Sequence, residues 1–318
     1  MHRVLHAAFQ AVHEQWRPRF LTKCTTTAME ALFRLLELAI AGGLLATALR
    51  LAWLRFCRYV DAPSAEPDEV WARLFPDSEE AAALRKLKYE QLRLDMVAQG
   101  YAVISASERR RRARDAKHGQ LPGQEPYSTD VKQLRIECEA WRSKMAAGGY
   151  HIWSPVDELP RVLRDWAEGE GAALLRSSLK GSPRLRCMGG AALWKVGGQH
   201  SGTPFHQDKA YEERGATPGR KYAVWLALSP ADAASGCLRF APSLGFALRP
   251  HETLPREDAP SGFETFLVDS AEAETAAVDC EVGVGDAILI GDSVVHGSHS
   301  AGTGKTRLAF SPIYQVLD

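Results

Sequence analysis

Apolar and polar positions follow two different periods along this chain, and the change comes near Gly181. Ahead of it the helical spacing dominates. Met29 to Val60 is rich in Leu and Ala, both strong helix formers. Within it Leu38 to Leu49 carries no charge, about half of the ~20 residues that a membrane span needs. A wider window takes in Arg34, Glu37 and Arg50. Three readings stay open: a packing helix, a membrane anchor over residues 29–60 with Arg50 and Arg55 reaching the interface, and a cleaved targeting segment. His2, Arg3, Arg17, Arg19 and Lys23 favour the last, and Glu14, Glu30 and Glu37 oppose it. Residues 61–68 read as a linker into a short helical region. Lys86 to Gly100 reads as an amphipathic helix stopped by its glycine, and Tyr101 to Ile104 as a short strand.

Beyond Gly181 short apolar runs alternate with Gly, Pro and Ser turns. Arg186 to Val196, Tyr222 to Leu228, Cys237 to Ala241, Ala287 to Ile290 and Arg307 to Tyr314 are the strand candidates. Such spacing predicts an antiparallel sandwich or barrel. Helices first and strands later give an α+β class: a jelly-roll core, the double-stranded β-helix of cupin-like proteins, with flanking helices and an N-terminal helical extension. Residues 1–60 would be that extension, 61–86 a linker with a short helix, and 87–318 the main domain. Leu244 to Glu274 reads as irregular loop.

Composition narrows the function. The 318 residues carry a formal net charge of +0, with 25% charged and 45% hydrophobic residues. A neutral balance gives no reason to expect nucleic acid as the partner. Cys24, Cys57, Cys138, Cys187, Cys237 and Cys280 form no CxxC pair, so the spacing of a zinc ribbon or a thioredoxin-like motif is missing. The run Arg109 to Arg112 with Arg114 reads as a solvated helix face, with an anion patch as the alternative.

The candidate chemistry lies in the strand-rich half. His206 and Asp208 stand two residues apart in Thr203-Pro-Phe-His-Gln-Asp208, and residues at that spacing on a strand share a face. His296, after the strand-like Asp286 to Ile290, is the best third donor. Two histidines and one carboxylate on one face of an ion make the facial triad of non-haem Fe(II) oxygenases, with the other face open. Arg307 follows His296 by eleven residues, and alternation sets the small Ala309 and Ser311 on its face. A guanidinium fork matches a carboxylate and stays charged, as binding the distal carboxylate of 2-oxoglutarate requires. His200 and His299 are alternative ligands against the plainer reading of exposed histidines. Lys195 is set between a substrate or cosubstrate carboxylate and a surface position. Trp225 is core or pocket, and Asp286 and Asp292 are turn residues or orienters of His296.

These residues together resemble the phytanoyl-CoA dioxygenase family. The resemblance rests on His206-Gln-Asp208, the step from His296 to Arg307, and Trp225-Leu-Ala-Leu-Ser-Pro with Ser235-Gly-Cys-Leu-Arg-Phe-Ala-Pro242-Ser between them. Gln99-Gly-Tyr-Ala-Val-Ile104 resembles the family's start, and Leu193-Trp-Lys195-Val-Gly the strand before its first ligands. It covers roughly residues 87–318. It implies a dioxygenase with Fe(II) on His206, Asp208 and His296, 2-oxoglutarate on Arg307, O2 as oxidant, and Ser298 and Trp225 lining the cosubstrate pocket. Asp208 argues for hydroxylation, because related halogenases lack that carboxylate. The substrate would be a small organic or acyl molecule, and a monomer is expected. Pro242-Ser-Leu-Gly245 and His299 depart from the family pattern on the substrate side. The C-terminal Val-Leu-Asp318 is not a peroxisomal tripeptide. Two other classes remain: a cupin-like metal protein without 2-oxoglutarate turnover, and a non-enzymatic binding protein attached to a membrane.

Overall fold

In the computed structural model, the described residues are 79–109, 130–144, 151–198, 202–214, 218–254 and 265–317. The expectations for residues 1–60 and for Arg110 to Arg114 lie outside them, as does His200. The chain divides into two units, residues 1–88 and 89–318, and every strand among the described residues belongs to the second. Among the described residues no helix is long and apolar enough to cross a membrane.

Helix α1 runs from Glu79 to Ala98, so it begins earlier than the expected Lys86. Among its residues from Tyr89 on, Leu92 and Met96, four residues apart, form a buried stripe. It ends where Gly100 takes a φ of 75°. A Cβ there would meet Phe246 Cε1 and Val294 Cβ at 2.7 Å, so only glycine lets the chain pass into β1, Tyr101–Ile104. Helices α2 (Val131–Lys144), α3 (Arg161–Trp166) and α4 (Ala172–Ser178) follow, with β2 (His151–Pro155) between the first two. A π-helical turn, Ala167–Gly171, joins α3 to α4.

The rest is strand. A six-stranded antiparallel sheet has the order β1-β10-β5-β12-β3-β2, with β3 Arg184–Val196, β5 Lys221–Ala227, β10 Ala287–Gly291 and β12 Thr306–Leu317. A four-stranded sheet has the order β4-β11-β6-β9, with β4 Thr203–His206, β6 Leu238–Phe240, β9 Val278–Cys280 and β11 His296–Ser298. The expected strands are all present, each starting within two residues of its expected position. Leu244 to Glu274 is less irregular than expected: it holds the paired β7 (His251–Thr253) and β8 (Thr265–Leu267) and the start of helix α5, Ala271–Ala276.

The larger sheet is buried on both faces, and its alternation sorts two cores. Val224, Leu226, Leu289, Leu308, Phe310 and Tyr314 pack with the helices, against Leu134, Leu163, Trp166 and Leu175. Ala223, Trp225, Ile288, Ile290 and Ala309 face the smaller sheet through Leu238, Phe240 and Cys280. Both runs keep a period of two. The result is the expected jelly roll, with a helical layer on one side.

One charged residue departs from its expected place. Arg109 is 3% exposed and pairs with Glu170 in the π-helical turn, while its Nε donates to the Gly285 carbonyl at 3.0 Å. Trp166 Nε1 donates to the other Glu170 oxygen at 3.2 Å. Burial pushes the Glu170 carboxyl up, against the opposing charge of Arg109. The solvated-face reading therefore fails at Arg109: an isolated buried carboxylate is costly, and the first arginine of the run is drawn in to meet it.

Candidate active site

Strand β4 carries His206 opposite His296 on β11, as register partners. Strand β4 stops at His206, and Asp208 opens a 3-10 helix, Asp208–Arg214. The pair is thus set by a turn and not by two positions of one strand, as the spacing suggested. Gln207 holds that turn. Its side chain donates to the carbonyls of Ser293 and Ala247 at 2.7 and 3.0 Å and accepts from Arg249 N at 2.9 Å. Its own N–H donates to His251 Nε2 at 3.1 Å. Both donors and the carbonyl oxygen of this buried amide have partners.

Three donor atoms converge. Asp208 Oδ1 lies 3.4 Å from His206 Nε2 and 4.0 Å from His296 Nε2, and the three stand within 4.8 Å of one another. Two donors bound at about 2.1 Å to one ion lie at most ~4.2 Å apart, so both edges fit one cation. The other ring nitrogens face backbone carbonyls: His206 Nδ1 to Pro204 O at 2.9 Å, His296 Nδ1 to Val294 O at 3.1 Å. A carbonyl only accepts, so Nδ1 carries the proton and the Nε2 lone pair points at the common centre. Burial, then the charge of His206, pulls His296 down to about 4 despite Asp208, which keeps it in the neutral, ligating form. Burial alone would raise Asp208. Contact with His206 first, then the nearby His296, His206 and Lys221, outweigh it and hold the carboxyl below its ordinary value.

Arg307 and Lys195 are register partners on β12 and β3, and both are 0% exposed. The surface reading of Lys195 is therefore wrong. Lys195 Nζ donates to Ser298 Oγ at 2.6 Å and to the His299 carbonyl. Thr203 N also donates to Ser298 Oγ, at 3.1 Å, which ties this pocket to the strand of His206. Burial first and Arg307 second pull Lys195 down to about 6. Ala309 and Ser311 are the buried small neighbours expected beside Arg307. The guanidinium carbon lies 5.1 Å from the centre of the Trp225 ring. Trp225 is 1% exposed, and its Nε1 makes no hydrogen bond among the described residues. An inward guanidinium, a lysine amine that can take up a proton and an unsatisfied indole donor together suit a carboxylate. The donor set and this pocket together fit iron and 2-oxoglutarate.

The remaining expectations resolve as follows. Asp286 accepts from Ala106 N at 2.6 Å and Gly283 N at 2.8 Å, and Asp292 from Lys221 N and Ser293 Oγ at 2.8 and 2.7 Å. They hold turns, and the Val294 carbonyl takes the place beside His296. His299 stands outside the triad, with Nε2 2.8 Å from Asp279 Oδ1. Gln207 and His251 are parts of the site that sequence reasoning missed; a glutamine between two candidate ligands was the one available signal. A cavity of about 360 Å³ adjoins the turn, walled by Met96, Phe246, Val294, Lys209, Arg220 and Tyr222 among others, but by no triad residue.

The family model described as Phytanoyl-CoA dioxygenase (PhyH) matches residues 158–309, a span that holds the triad, Lys195, Trp225, Ser298 and Arg307. Among solved structures, one similar fold is the epimerase SnoN in complex with Fe3+, alpha ketoglutarate and nogalamycin RO. It is 20% identical, with a TM-score of 0.52, covering 73% of this chain and 84% of that one. Another is the non-heme alpha ketoglutarate dependent carbocyclase SnoK from nogalamycin biosynthesis, 16% identical, with a TM-score of 0.50, covering 72% and 84%. No curated protein matches the chain in sequence.

Proposed function

We propose that this chain, whose residues 158–309 match the phytanoyl-CoA dioxygenase model, is a 2-oxoglutarate-dependent oxygenase that hydroxylates a small organic or acyl substrate at one face of the His206–Asp208–His296 cluster. The observation that carries the reading is the convergence of three oriented donors next to a buried Arg307–Lys195 pair. His206, Asp208 and His296 are the residues to hold Fe(II). Fe(II), 2-oxoglutarate and O2 together supply the oxidising power, the cosubstrate leaving as succinate and carbon dioxide.

The chain's own part is binding and exclusion. The Arg307 fork takes the distal carboxylate, and Lys195, held by Ser298, adds a second cation. Trp225 walls the pocket and offers its Nε1 as one more donor. Gln207 keeps the two donors of its turn in place while ligands come and go. Asp208 fills the third ligand position, which favours transfer of an oxygen atom over transfer of a halide. The neighbouring cavity combines Met96, Phe246 and Val294 with Lys209 and Arg220, a lining suited to an apolar body with an anionic group.

The test is succinate release by the iron-loaded protein across acyl-CoAs, free acids, amino acids and small alkaloids or terpenoids, with product mass measured. A product heavier by one oxygen atom supports hydroxylation. A stereoisomer or a new ring at unchanged oxygen count would replace hydroxylation with another oxidation. The absence of any visible band on adding 2-oxoglutarate to the anaerobic Fe(II) protein would overturn the cosubstrate assignment.

A further inference from the structure

We infer that Cys237, Asp279 and His299 form a second metal site, distinct from the triad, for a borderline divalent cation of the zinc type. The three residues come together where the smaller sheet ends. Cys237 precedes β6, Asp279 lies within β9 and His299 follows β11. One ligand atom from each lies within 4.8 Å of the other two.

The donor set decides the kind of ion. A sulfur, an imidazole nitrogen and a carboxylate oxygen together favour a zinc-like cation over magnesium or calcium, which prefer all-oxygen shells. The triad has no sulfur, so the two sites differ chemically. Three protein ligands and one water complete the tetrahedron that zinc ordinarily takes. On binding, the Cys237 thiol would release its proton to solvent, and no oxidation state changes.

The surroundings hold these donors in place. His299 N donates to the Cys237 carbonyl at 3.1 Å, which fixes the spacing of the two backbones. Gly236 has a φ of 95°, and a Cβ on it would lie 2.9 Å from the His299 carbonyl oxygen and from Lys195 Cδ. That close approach brings the thiol-bearing residue up against His299. Arg239 Nε lies 3.3 Å from Asp279 Oδ1, the oxygen that also meets His299, and so orients the carboxylate. Cys237 is fully buried while His299 and Asp279 are partly open, so an ion has an entry path and a preset sulfur. The same elements in the absence of metal read as a surface His–Asp–Arg network over a structural thiol, and the experiment separates the two.

The protein is titrated with Co2+ and followed in the near ultraviolet, where thiolate-to-cobalt charge transfer absorbs. A cobalt ion on the triad gives no such band. The wild type should show it, and Cys237→Ser should lose it while keeping the weaker visible absorption of cobalt on the triad. Zinc retained after dialysis should fall from about two ions per chain to about one. His299→Ala, a substitution at a partly exposed position, should reduce the band severalfold and stands in if Cys237→Ser does not fold. A wild type without the band, or a band unchanged by these substitutions, overturns the site.

Discussion

The Arg307–Lys195 pair and the metal donors stand beside each other, yet the chain builds them by different means. Arg307 and Lys195 sit in a ladder that pairs all twelve residues of β12 with β3. Their facing is fixed by register, and a slip of one residue would turn every side chain to the other face. The triad has no such ladder. Strand β4 has four residues and β11 three, and Asp208 lies beyond the strand end. There the geometry comes from the side-chain amide of Gln207 and from two backbone carbonyls that orient the histidines. Regular backbone places the group that receives the cosubstrate, and an irregular turn places the groups that would hold the ion.

The largest effect should come from removing a donor. His206→Ala or His296→Ala should abolish iron retention and succinate release while the circular dichroism of the β-rich domain persists, since neither ring carries the ladder. Wild-type iron stoichiometry in either variant would contradict the assignment. Next comes Arg307→Lys, which keeps the charge and loses the fork. Loss of such a contact costs on the order of 2–5 kcal/mol, so 2-oxoglutarate should bind at least ~10-fold more weakly while iron content is unchanged. Equal affinity in a titration of the Fe(II) protein would show that the ladder does not serve the cosubstrate.

Gln207→Ala tests the turn itself. It leaves the Ser293 and Ala247 carbonyls and the Arg249 N–H without their present partner. Each buried orphan costs about 1–3 kcal/mol, and supports of metal ligands typically change affinity about 10–100-fold. The variant should melt earlier and lose iron on dialysis, with 2-oxoglutarate selectivity less affected. If iron affinity holds, the turn is set by its backbone alone.

The same contrast explains what could be read from the sequence. The long strands showed themselves, because β3, β5, β10 and β12 are apolar runs between turn residues. The step from His296 to Arg307 was legible as a spacing, and alternation correctly placed Ala309 and Ser311 beside the arginine. Burial of polar side chains was not legible. Lys195 looks like any strand lysine until its partner strand brings Arg307 and Ser298 to it. Arg109 looks like the first of a solvated run until Glu170, sixty-one residues away, claims it. Gln207 was read only as the residue between two ligands, since its partners come from the loops around 247 and 293. Local periodicity carries information about backbone and none about such distant partners.

The last effect to seek is also the one that joins the two regions. Lys195 falls from an ordinary 10.5 to about 6 because burial and Arg307 disfavour its charged form. Between those two values the unfolded chain holds a proton at this position that the folded chain does not. Folding stability of the ligand-free protein therefore gains from rising pH across that window, by about 1.4 kcal/mol per unit for one such group. Below pH ~6 both states carry the proton and the slope from this residue vanishes. Lys195→Met removes the group while filling similar volume, so its stability should rise with pH less steeply than the wild type by about that amount. A carboxylate arriving beside Lys195 restores the charged form, so 2-oxoglutarate binding at pH 8 should draw close to one proton from solution. Calorimetry in two buffers of different ionisation enthalpy measures that uptake, and Lys195→Met should lose it. Identical pH slopes in wild type and variant would show that Lys195 keeps its proton in the ligand-free fold. No proton uptake in the wild type would agree with that outcome, because a lysine already charged before the cosubstrate arrives has no proton to gain.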